Sequence, residues 1–378
     1  MGKILYFQWN SFMNAGIERA LQKMNIIYDT FCYQFADWEK DDAFCEQFEA
    51  KMKAGAYEAV FSINYAPLIS TVCARHDVRY ISWVYDCPIN IRRTGVLKNK
   101  CNTIYFFDRI QAQHYMENGV AGAKHLPLAA DIDTFRPALA KDDNYACDVA
   151  FVGKLYKSDY SYISNYQDVY MKGYLEGIVE TQQKLYGGYI IDDCINDNIM
   201  KHINENFANV SNGSYSVIKP EVTYALATEV TSRERVMALA LLQNRCNVNL
   251  YSTDVDERLN NVNNKGYIDY YSQMPKAFYN AKINLNISLK IIQSGIPLRV
   301  LDVLACKGFL ITNYQAEIME YFTPGKDLVV YEDIKDLIAK VQYYLDNEDE
   351  RLWIADNGYK KVKENFKVKD RIDSILRN

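Results

Sequence analysis

Several features that mark common protein classes are missing from this 378-residue chain. Its formal net charge is −5, so it has no electrostatic footprint for nucleic acid. It has no apolar run of about 18 residues, and its N-terminus has neither the long apolar region nor the cleavage site of a signal peptide. The nine cysteines form no C-x-x-C pair, and the four histidines are scattered. These absences predict a cytoplasmic protein with reduced thiols, no membrane span and no metal site.

The phosphate-binding and metal-binding motifs of several enzyme classes are also absent. No G-x-G-x-x-G follows any predicted strand, which argues against a dinucleotide-dependent dehydrogenase. The chain likewise has no Walker A motif, no kinase glycine-rich loop and no H-E-x-x-H pair. Any nucleotide ligand must therefore be held by a less obvious arrangement.

Hydrophobic patterning indicates alternating strands and helices in two successive blocks. Such alternation predicts parallel sheets covered by helices on both faces, hence an α/β fold. A polar stretch around 136–147 suits a linker, and Thr231 and Glu234 suggest a capping box that opens a helix over 232–243. The predicted strands are 3–9, 57–65, 78–86 and 103–108 in the first block, and 148–153, 246–253, 265–271, 282–288 and 327–331 in the second.

The segment SGIPLRVLDVLACKGFLITN (294–313) combines a buried helical stripe with two charges. Proline in the first turn and Gly308 just after the end predict a helix. Its N-terminus favours anions, so we expect Ser294, Gly295 and Arg299 to bind a diphosphate and Asp302 to bind a ribose. The alternative is that Arg299 and Asp302 form only an intrahelical ion pair.

Polar residues also stand at the predicted carboxyl ends of two strands in the second block. Gly153 and Lys154 follow the strand 148–153, and Asn286 and Ser288 end the strand 282–288. Open α/β sheets bind ligands at this edge, where glycine permits close approach and lysine supplies charge. We expect all four to contact the same anionic ligand, although Asn286 and Ser288 are equally typical of plain strand ends.

A family resemblance rests on three quoted stretches. The chain resembles the CgeB-type (spore-maturation-protein-like) group 1 glycosyltransferases in these places. They are the segment 282–313 together with DLVVY, the stretch HLPLAADIDTFRP before DVAFVG, and ISWVYDCP. The resemblance implies a GT-B fold, in which two Rossmann-like, doubly wound domains face each other across a cleft. It places an N-terminal acceptor-side domain at 1–140, a nucleotide-sugar domain at 147–360, and a helix at 361–378 that returns toward the first domain.

The resemblance also implies roles for particular residues. Asp302 stands at the second acid of the family's E-x7-E motif, whereas the first acid is replaced by Ser294, which leaves retention or inversion open. Tyr267 stands where related enzymes contact the nucleobase; the alternative is an ordinary core tyrosine. The loop from Asn10 to Gly16 resembles one that approaches the donor or the acceptor.

Asp86 is the candidate general base. It ends the strand 78–86, faces the expected cleft and could accept the proton of an acceptor hydroxyl. The alternative is an Asx turn at a strand end.

The leading hypothesis is therefore a glycosyltransferase without metal or cofactor. It would use a nucleotide-sugar donor and a polysaccharide or protein acceptor. The alternatives are a GT-B-fold nucleotide-sugar epimerase, or a catalytically inactive protein that binds nucleotide-sugars. The sequence leaves the sugar, the base, the acceptor and the oligomeric state open.

Overall fold

The computed structural model describes residues 2–89, 91–137 and 141–377. The chain divides into two compact units. Unit 1 comprises Met1–Arg136, Ser294–Ala305 and Lys360–Asn378, and unit 2 comprises Pro137–Gln293 and Cys306–Tyr359. The sequence predicts that 294–305 belongs to the C-terminal domain, whereas the structure groups this segment with unit 1. The physical reason is a set of hydrogen bonds to Asp108, described below.

Each unit contains one six-stranded sheet in which every strand pair is parallel. The strands are β1 (Ile4–Gln8), β2 (Tyr28–Cys32), β3 (Ala59–Ile63), β4 (Arg79–Val84), β5 (Asn102–Phe106), β6 (Ala123–His125), β7 (Cys147–Val152), β8 (Val248–Tyr251), β9 (Asn263–Asn264), β10 (Ala281–Asn286), β11 (Leu310–Asn313) and β12 (Val329–Tyr331). The predicted α/β class with two parallel sheets is confirmed.

Most helices lie in the connections between these strands, and the last three follow β12. They are α1 (Asn14–Lys23), α2 (Asp42–Ala54), α3 (Pro67–His76), α4 (Arg109–Glu117), α5 (Tyr160–Asn165), α6 (Val169–Lys184), α7 (Ile191–Cys194), α8 (Asp197–Ser211), α9 (Lys219–Leu242), α10 (Met274–Asn280), α11 (Leu298–Ala305), α12 (Ala316–Tyr321), α13 (Ile334–Asp346), α14 (Glu348–Asn365) and α15 (Val368–Arg377). Helices α5 to α9 form a helical insertion between β7 and β8.

The strand orders define one topological switch point in each sheet. In unit 1 the order is β2-β1-β3-β4-β5-β6, and in unit 2 it is β12-β11-β10-β7-β8-β9. The winding direction reverses between β1 and β3 in the first sheet, and between β7 and β10 in the second. Ligands of open α/β sheets bind beyond the carboxyl ends of such strand pairs. The loops after these four strands are therefore the first places to look for a site.

The sequence misplaces several elements. Strand β2 is not predicted, because its residues are only partly buried and it lies at the sheet edge. The predicted strand 265–271 is wrong, since pairing is confined to Asn263–Asn264. The helix predicted over 232–243 begins at Lys219 instead, so Thr231 lies inside α9 and donates to the carbonyl of Ala227 at 2.8 Å.

Two predictions about the C-terminal region also differ from the structure. The single helix predicted over 361–378 is divided, because α14 ends at Asn365 and α15 begins at Val368. Within unit 1, α15 packs against α1, and Phe366 accepts a hydrogen bond from the backbone of Ala130 at 2.9 Å. The left-handed residue after α11 is Lys307, with φ +61°, rather than Gly308. Lys307 pairs with Asp356 at 2.7 Å.

Both cores are formed by the apolar strand faces and the helices that cover them. In unit 1 the buried cluster includes Leu5, Phe7, Phe44, Phe48, Val60, Tyr80, Ile104 and Phe106. In unit 2 it includes Val149, Phe151, Leu239, Leu250, Ile283, Leu285, Ile311 and Tyr331. Because helices cover both faces of each sheet, the central strands read as continuous apolar runs in the sequence. This is why the sequence predicts the central strands well.

Candidate functional site

A cavity of about 510 Å³ opens beyond the switch point of unit 1. Its volume lies within the range of about 300–1,000 Å³ that is usual for small-molecule sites. Trp9 follows β1, Asn64 follows β3, and Asp86 follows β4, so three strand ends contribute to one cavity. Its lining residues are Trp9, Ala36, Asp37, Trp38, Glu39, Asn64, Tyr65, Asp86, Ile89 and Arg92.

Asn64 holds Asp86 at the wall of this cavity. The Asn64 side-chain nitrogen Nδ2 donates to the Asp86 Oδ2 atom at 2.6 Å, while the Asn64 side-chain oxygen Oδ1 accepts from the Tyr85 backbone N–H at 2.9 Å. Asn64 itself has φ +59°, a left-handed conformation that asparagine tolerates better than most residues. Although Asp86 is exposed, desolvation by the surrounding protein raises the pKa of its carboxyl above the ordinary value of 3.8, and the Asn64 hydrogen bond opposes the rise. A fixed carboxylate with a raised pKa is suited to accept a proton.

Aromatic side chains form the other walls of the unit 1 cavity. The rings of Trp9 and Trp38 meet edge to face with their centroids 5.3 Å apart, and Trp9 stacks on Tyr85 at 6.3 Å. The Trp9 indole nitrogen donates to the carbonyl of Ile63 at 2.8 Å, which fixes its orientation. These rings provide rigid apolar faces beside carboxylate oxygen atoms that can accept hydrogen bonds.

The predicted loop from Asn10 to Gly16 is shorter in the structure. Asn10 is exposed after β1, whereas Gly16 is buried inside α1. A Cβ atom at Gly16 would lie 3.2 Å from the Asp131 carboxyl carbon, and Asp131 is in turn bonded to Arg19. Gly16 therefore permits close packing between α1 and the segment after β6, within unit 1.

In unit 2, Arg235 joins the two loops at the switch point. It is 8% exposed and lies on α9. Its guanidinium donates to the carbonyl of Ile287 after β10, with Nε at 3.1 Å, and to the carbonyl of Lys154 after β7. The same group lies 4.9 Å from the ring centroid of Tyr156. Arg235 thereby holds the loops that carry four of the predicted ligand residues.

The predicted residues after β7 occupy this edge. Gly153 has φ +156°, a conformation that side-chain-bearing residues rarely adopt, and its added Cβ would lie 3.6 Å from Arg235. Lys154 is exposed, so its ammonium is accessible to a ligand. Gly153 and Lys154 are placed as expected for residues at a ligand-binding edge.

A buried ion pair lies beside the loop after β10. Lys290 Nζ is 2.8 Å from Glu234 Oε1, and the two side chains are only 11% and 5% exposed. The Lys290 ammonium also lies 4.7 Å from the ring centroid of Tyr186. Burial raises the pKa of Glu234, whereas the neighbouring Lys290 lowers it.

The predicted strand-end residues of β10 are buried in a hydrogen-bond network. The Asn286 amide donates to Thr312 Oγ1 at 2.9 Å and to Ser288 Oγ at 3.2 Å. The Ser288 backbone donates to Asn313 Oδ1 at 2.7 Å. Asn286 is 6% exposed and Ser288 is 4% exposed, and Ser288 reaches a small cavity of about 20 Å³ that Lys290 also lines. The network joins β10 to β11.

Tyr267 is 75% exposed, so the core alternative for this residue is wrong. It follows Gly266, whose φ of +72° turns the chain after β9. An exposed ring on a turn can stack on a flat ligand such as a nucleobase.

The start of α11 differs from its predicted environment. Asp108 Oδ2 accepts hydrogen bonds from the backbones of Ser294 at 2.9 Å and Gly295 at 3.0 Å. A Cβ at Gly295 would lie 2.8 Å from the Phe107 ring, so this glycine permits close approach to unit 1 backbone. The two N–H groups expected to face a diphosphate are thus donated to a carboxylate, and they lie in the loop before α11, which begins at Leu298. Arg299 is half-buried and Asp302 is 1% exposed.

Several residues of these sites are not found by sequence reasoning. Asn64 and Trp38 lie outside the motifs that drew attention, and Asp108 is predicted only as the end of a strand. Arg235 and Lys290 lie next to predicted motifs, but the sequence assigns them no role. The contacts that hold Asn64, Arg235, Lys290 and Asp108 join residues 22 to 187 positions apart, so no local pattern records them. The run of three charged residues RER (233–235) inside α9 is the one signal that could have indicated Arg235.

Comparison with known proteins identifies one part of the chain. Residues 233–377 match the family model described as "Glycosyl transferase-like". The C-terminal part of this chain is therefore similar to glycosyltransferase domains. This part contains Arg235, Lys290 and α11. No curated protein sequence matches the chain.

Solved structures share the fold over the whole length. A glycosyltransferase from Rickettsia africae is 12% identical with a TM-score of 0.54, over 100% of this chain and 99% of that one. The sucrose-phosphate synthase of Thermosynechococcus elongatus is 11% identical with a TM-score of 0.59, over 100% and 98%. Anabaena HepE, solved with UDP and glucose, is 8% identical with a TM-score of 0.52, over 100% of both chains. Identities this low show the fold alone, and the predicted GT-B fold is confirmed.

Among residues 2–89, 91–137 and 141–377, no helix is long and apolar enough to cross a membrane. In the same residues, no group of three or more histidine, cysteine, aspartate or glutamate side chains could hold a metal ion.

Proposed function

We propose that this protein is a CgeB-type, metal-independent, cytoplasmic glycosyltransferase that transfers a hexosyl group from a nucleoside diphosphate sugar to a hydroxyl acceptor. The observation that carries the proposal is the glycosyl transferase-like match over 233–377, within which Arg235 donates to the carbonyl of Lys154 and so fixes the loop that presents this lysine. Structural neighbours solved with UDP support a nucleoside diphosphate as the donor's leaving group.

The unit 2 edge has the chemistry that a departing diphosphate requires. Negative charge builds on the diphosphate oxygen as its bond to the anomeric carbon breaks. Lys154 supplies an accessible ammonium, and Tyr267 supplies an exposed ring for the base. Arg299 lies in the segment 294–305 that groups with unit 1, and its guanidinium stays a predicted further cation for the diphosphate. We propose that Asp302 binds the donor ribose and that Asn286, Ser288 and Gly153 shape the loops beside the phosphates. Ser294 and Gly295 position α11 through Asp108 instead of contacting the donor.

Asp86 provides the base for an inverting transfer. The acceptor hydroxyl gives its proton to the Asp86 carboxylate, and the acceptor oxygen forms a bond to the anomeric carbon. The bond from that carbon to the diphosphate oxygen breaks, and its electron pair leaves with the nucleoside diphosphate. The hydrogen bond from Asn64 holds the carboxylate in one orientation through this step. No finding supports the epimerase alternative.

Incubation with a panel of nucleotide-sugars and acceptors tests the proposal. We expect release of nucleoside diphosphate that increases when an acceptor is added, and a glycosylated product detected by mass spectrometry. Appearance of an epimerised nucleotide-sugar would contradict transfer. Thermal stabilisation by nucleotide-sugars without any turnover would identify a binding protein instead.

A further inference from the structure

The unit 1 cavity has a composition that selects among hydroxyl acceptors. It combines two tryptophan faces with three carboxylates and a single lining guanidinium. Asp37, Glu39 and Asp86 are the carboxylates, and Arg92 is the cation. From this composition we infer that the acceptor is an uncharged saccharide and that sugar phosphates are excluded. The inference rests on the proposed function and specifies its acceptor.

The aromatic walls match the apolar faces of a sugar ring. Trp9 and Trp38 are each half-buried, so part of each ring faces the cavity. Their orientation is fixed, because Trp9 donates to Ile63 and Trp38 packs against Phe35 with ring centroids 4.8 Å apart. A ring that is already held loses little freedom when a ligand stacks on it.

The carboxylates match the hydroxyl groups of the same ligand. An ionised carboxylate only accepts hydrogen bonds, and each sugar hydroxyl can donate one. Asp37 and Glu39 lie in one loop, where Asp37 Oδ1 accepts from the Glu39 backbone at 2.8 Å. Glu39 in turn accepts from the backbones of Arg92 and Arg93, which fixes the loop beside the cavity. Several fixed acceptors beside an apolar face suit a polyhydroxylated ligand.

The same charges disfavour a phosphorylated acceptor. A sugar phosphate carries a negative charge that would meet three carboxylates in one cavity. Arg92 is the lining cation, and the neighbouring Arg93 guanidinium is directed to Glu39, with Nε 3.5 Å from Oε2. A phosphate is usually bound by several donors such as arginine, lysine or a helix N-terminus. With Glu39 paired to Arg93, Asp37 and Asp86 still outnumber Arg92 among the described lining residues, so the cavity has an excess of negative charge.

Ligand-observed NMR titration of the full chain tests the inference without any donor. Glucose and N-acetylglucosamine are each compared with their 6-phosphates, and maltose serves as a longer uncharged probe. We expect the uncharged sugars to bind at least about tenfold more tightly than their phosphates, the effect of unfavourable charges at short range. Equal or tighter binding of the phosphates, or no binding of any saccharide, would overturn the inference.

Two variants locate the binding within the cavity. Trp38→Ala removes one aromatic face, and we expect it to weaken sugar binding about tenfold. Trp353→Ala is the matched control, because Trp353 is 53% exposed on α14 of unit 2, and it should bind as wild type does. Asp37→Asn should reduce the difference in affinity between the uncharged sugars and their 6-phosphates. An equal loss in both tryptophan variants, or an unchanged preference in Asp37→Asn, would count against this cavity.

The titration separates this inference from the proposed function. If uncharged sugars bind but no nucleotide-sugar is turned over, the transferase proposal fails and the saccharide site stands. If turnover occurs and only phosphorylated acceptors are glycosylated, the transferase proposal stands and this inference fails. The wild-type selectivity decides the question even if Trp38→Ala does not fold, as its circular dichroism would show.

Discussion

The two switch points of this protein occupy the same place in similar sheets and differ in chemistry. In unit 1 the strand ends open into a cavity of about 510 Å³ with tryptophan faces and carboxylates. In unit 2 they are drawn together by Arg235 and by the buried pair of Lys290 and Glu234. Parallel topology decides where a ligand can bind, and the side chains at that edge decide which ligand it is.

Under the proposed function, in which unit 1 binds the acceptor and unit 2 binds the donor, the difference has a physical reason. An acceptor must lose a proton, so unit 1 needs an accessible carboxylate whose pKa is raised, as desolvation does for Asp86. A diphosphate must be held while charge develops on it, so unit 2 needs cations in loops that do not rearrange. Arg235 meets this need indirectly, because its hydrogen bonds to Lys154 and Ile287 fix both loops.

The largest expected effect concerns the rigid edge of unit 2. Lys290→Met leaves Glu234 buried without its cation, and breaking such a pair costs about 3–5 kcal/mol of unfolding free energy. Lys282→Met is the matched control: Lys282 also pairs at 2.8 Å, with Asp148, but is 52% exposed, so its loss should cost at most about 1 kcal/mol. Urea unfolding measures both. Similar losses of unfolding free energy in the two variants would show that the buried pair contributes no more to stability than the exposed pair.

The next effect concerns the open edge of unit 1. Asp86→Asn removes the proposed base while keeping the hydrogen-bonding shape, so turnover should fall about 10²-fold or more with nearly unchanged donor affinity. Asp77→Asn is the control, because Asp77 is exposed with φ +52°, which asparagine tolerates. Steady-state kinetics and calorimetric nucleotide titration provide the readouts. Wild-type turnover in Asp86→Asn would show that Asp86 is not the general base and has only a structural role in the turn after β4.

Arg299 tests the predicted anion site at α11. Arg299→Ala should weaken nucleoside diphosphate binding by about 1.5–3 kcal/mol, the range for a hydrogen bond to a charged group. Asp302→Ala should lower affinity for the same ligand. If the two residues form only an intrahelical pair, each change should cost at most about 0.5 kcal/mol of stability and leave binding alone.

Arg377→Ala provides the reference for that alternative. Arg377 pairs with Asp373 within α15 at 2.7 Å, and both side chains are exposed. Calorimetric titration of UDP into the three variants, with their unfolding curves, separates the cases. Equal UDP affinity in wild type and in Arg299→Ala would remove Arg299 from the donor site.

The smallest effect is the pH dependence of the unit 1 site. The base must be ionised, so kcat/KM should rise with pH through a pKa above 3.8, the ordinary value for aspartate. Desolvation disfavours the ionised form in the folded state, so any stability that Asp86 contributes is present at low pH and lost as pH rises through its raised pKa. Asp86→Asn should therefore be slightly more stable than wild type at pH 7. A variant less stable than wild type would contradict the direction of this shift.

The sequence predicted the central strands and the ends that carry Gly153, Asn286 and Asp86. It could do so because buried parallel strands are continuous apolar runs, and polar residues interrupt them at their ends. It missed β2, and it placed the start of α9 at Thr231 instead of Lys219. An edge strand is only partly buried, and a capping pattern inside a long helix is indistinguishable locally from one at its start.

What the sequence by itself determined is the alternation of strands and helices, and with it the two parallel sheets and the edge where ligands bind. Only the tertiary structure decided which side chains share that edge. Asp108 accepts the backbone N–H groups of Ser294 and Gly295, although it lies 186 and 187 positions away. Asn64 fixes Asp86, and Arg235 joins Ile287 to Lys154. Each partnership depends on distances in space between residues far apart in the chain, which local periodicity does not encode.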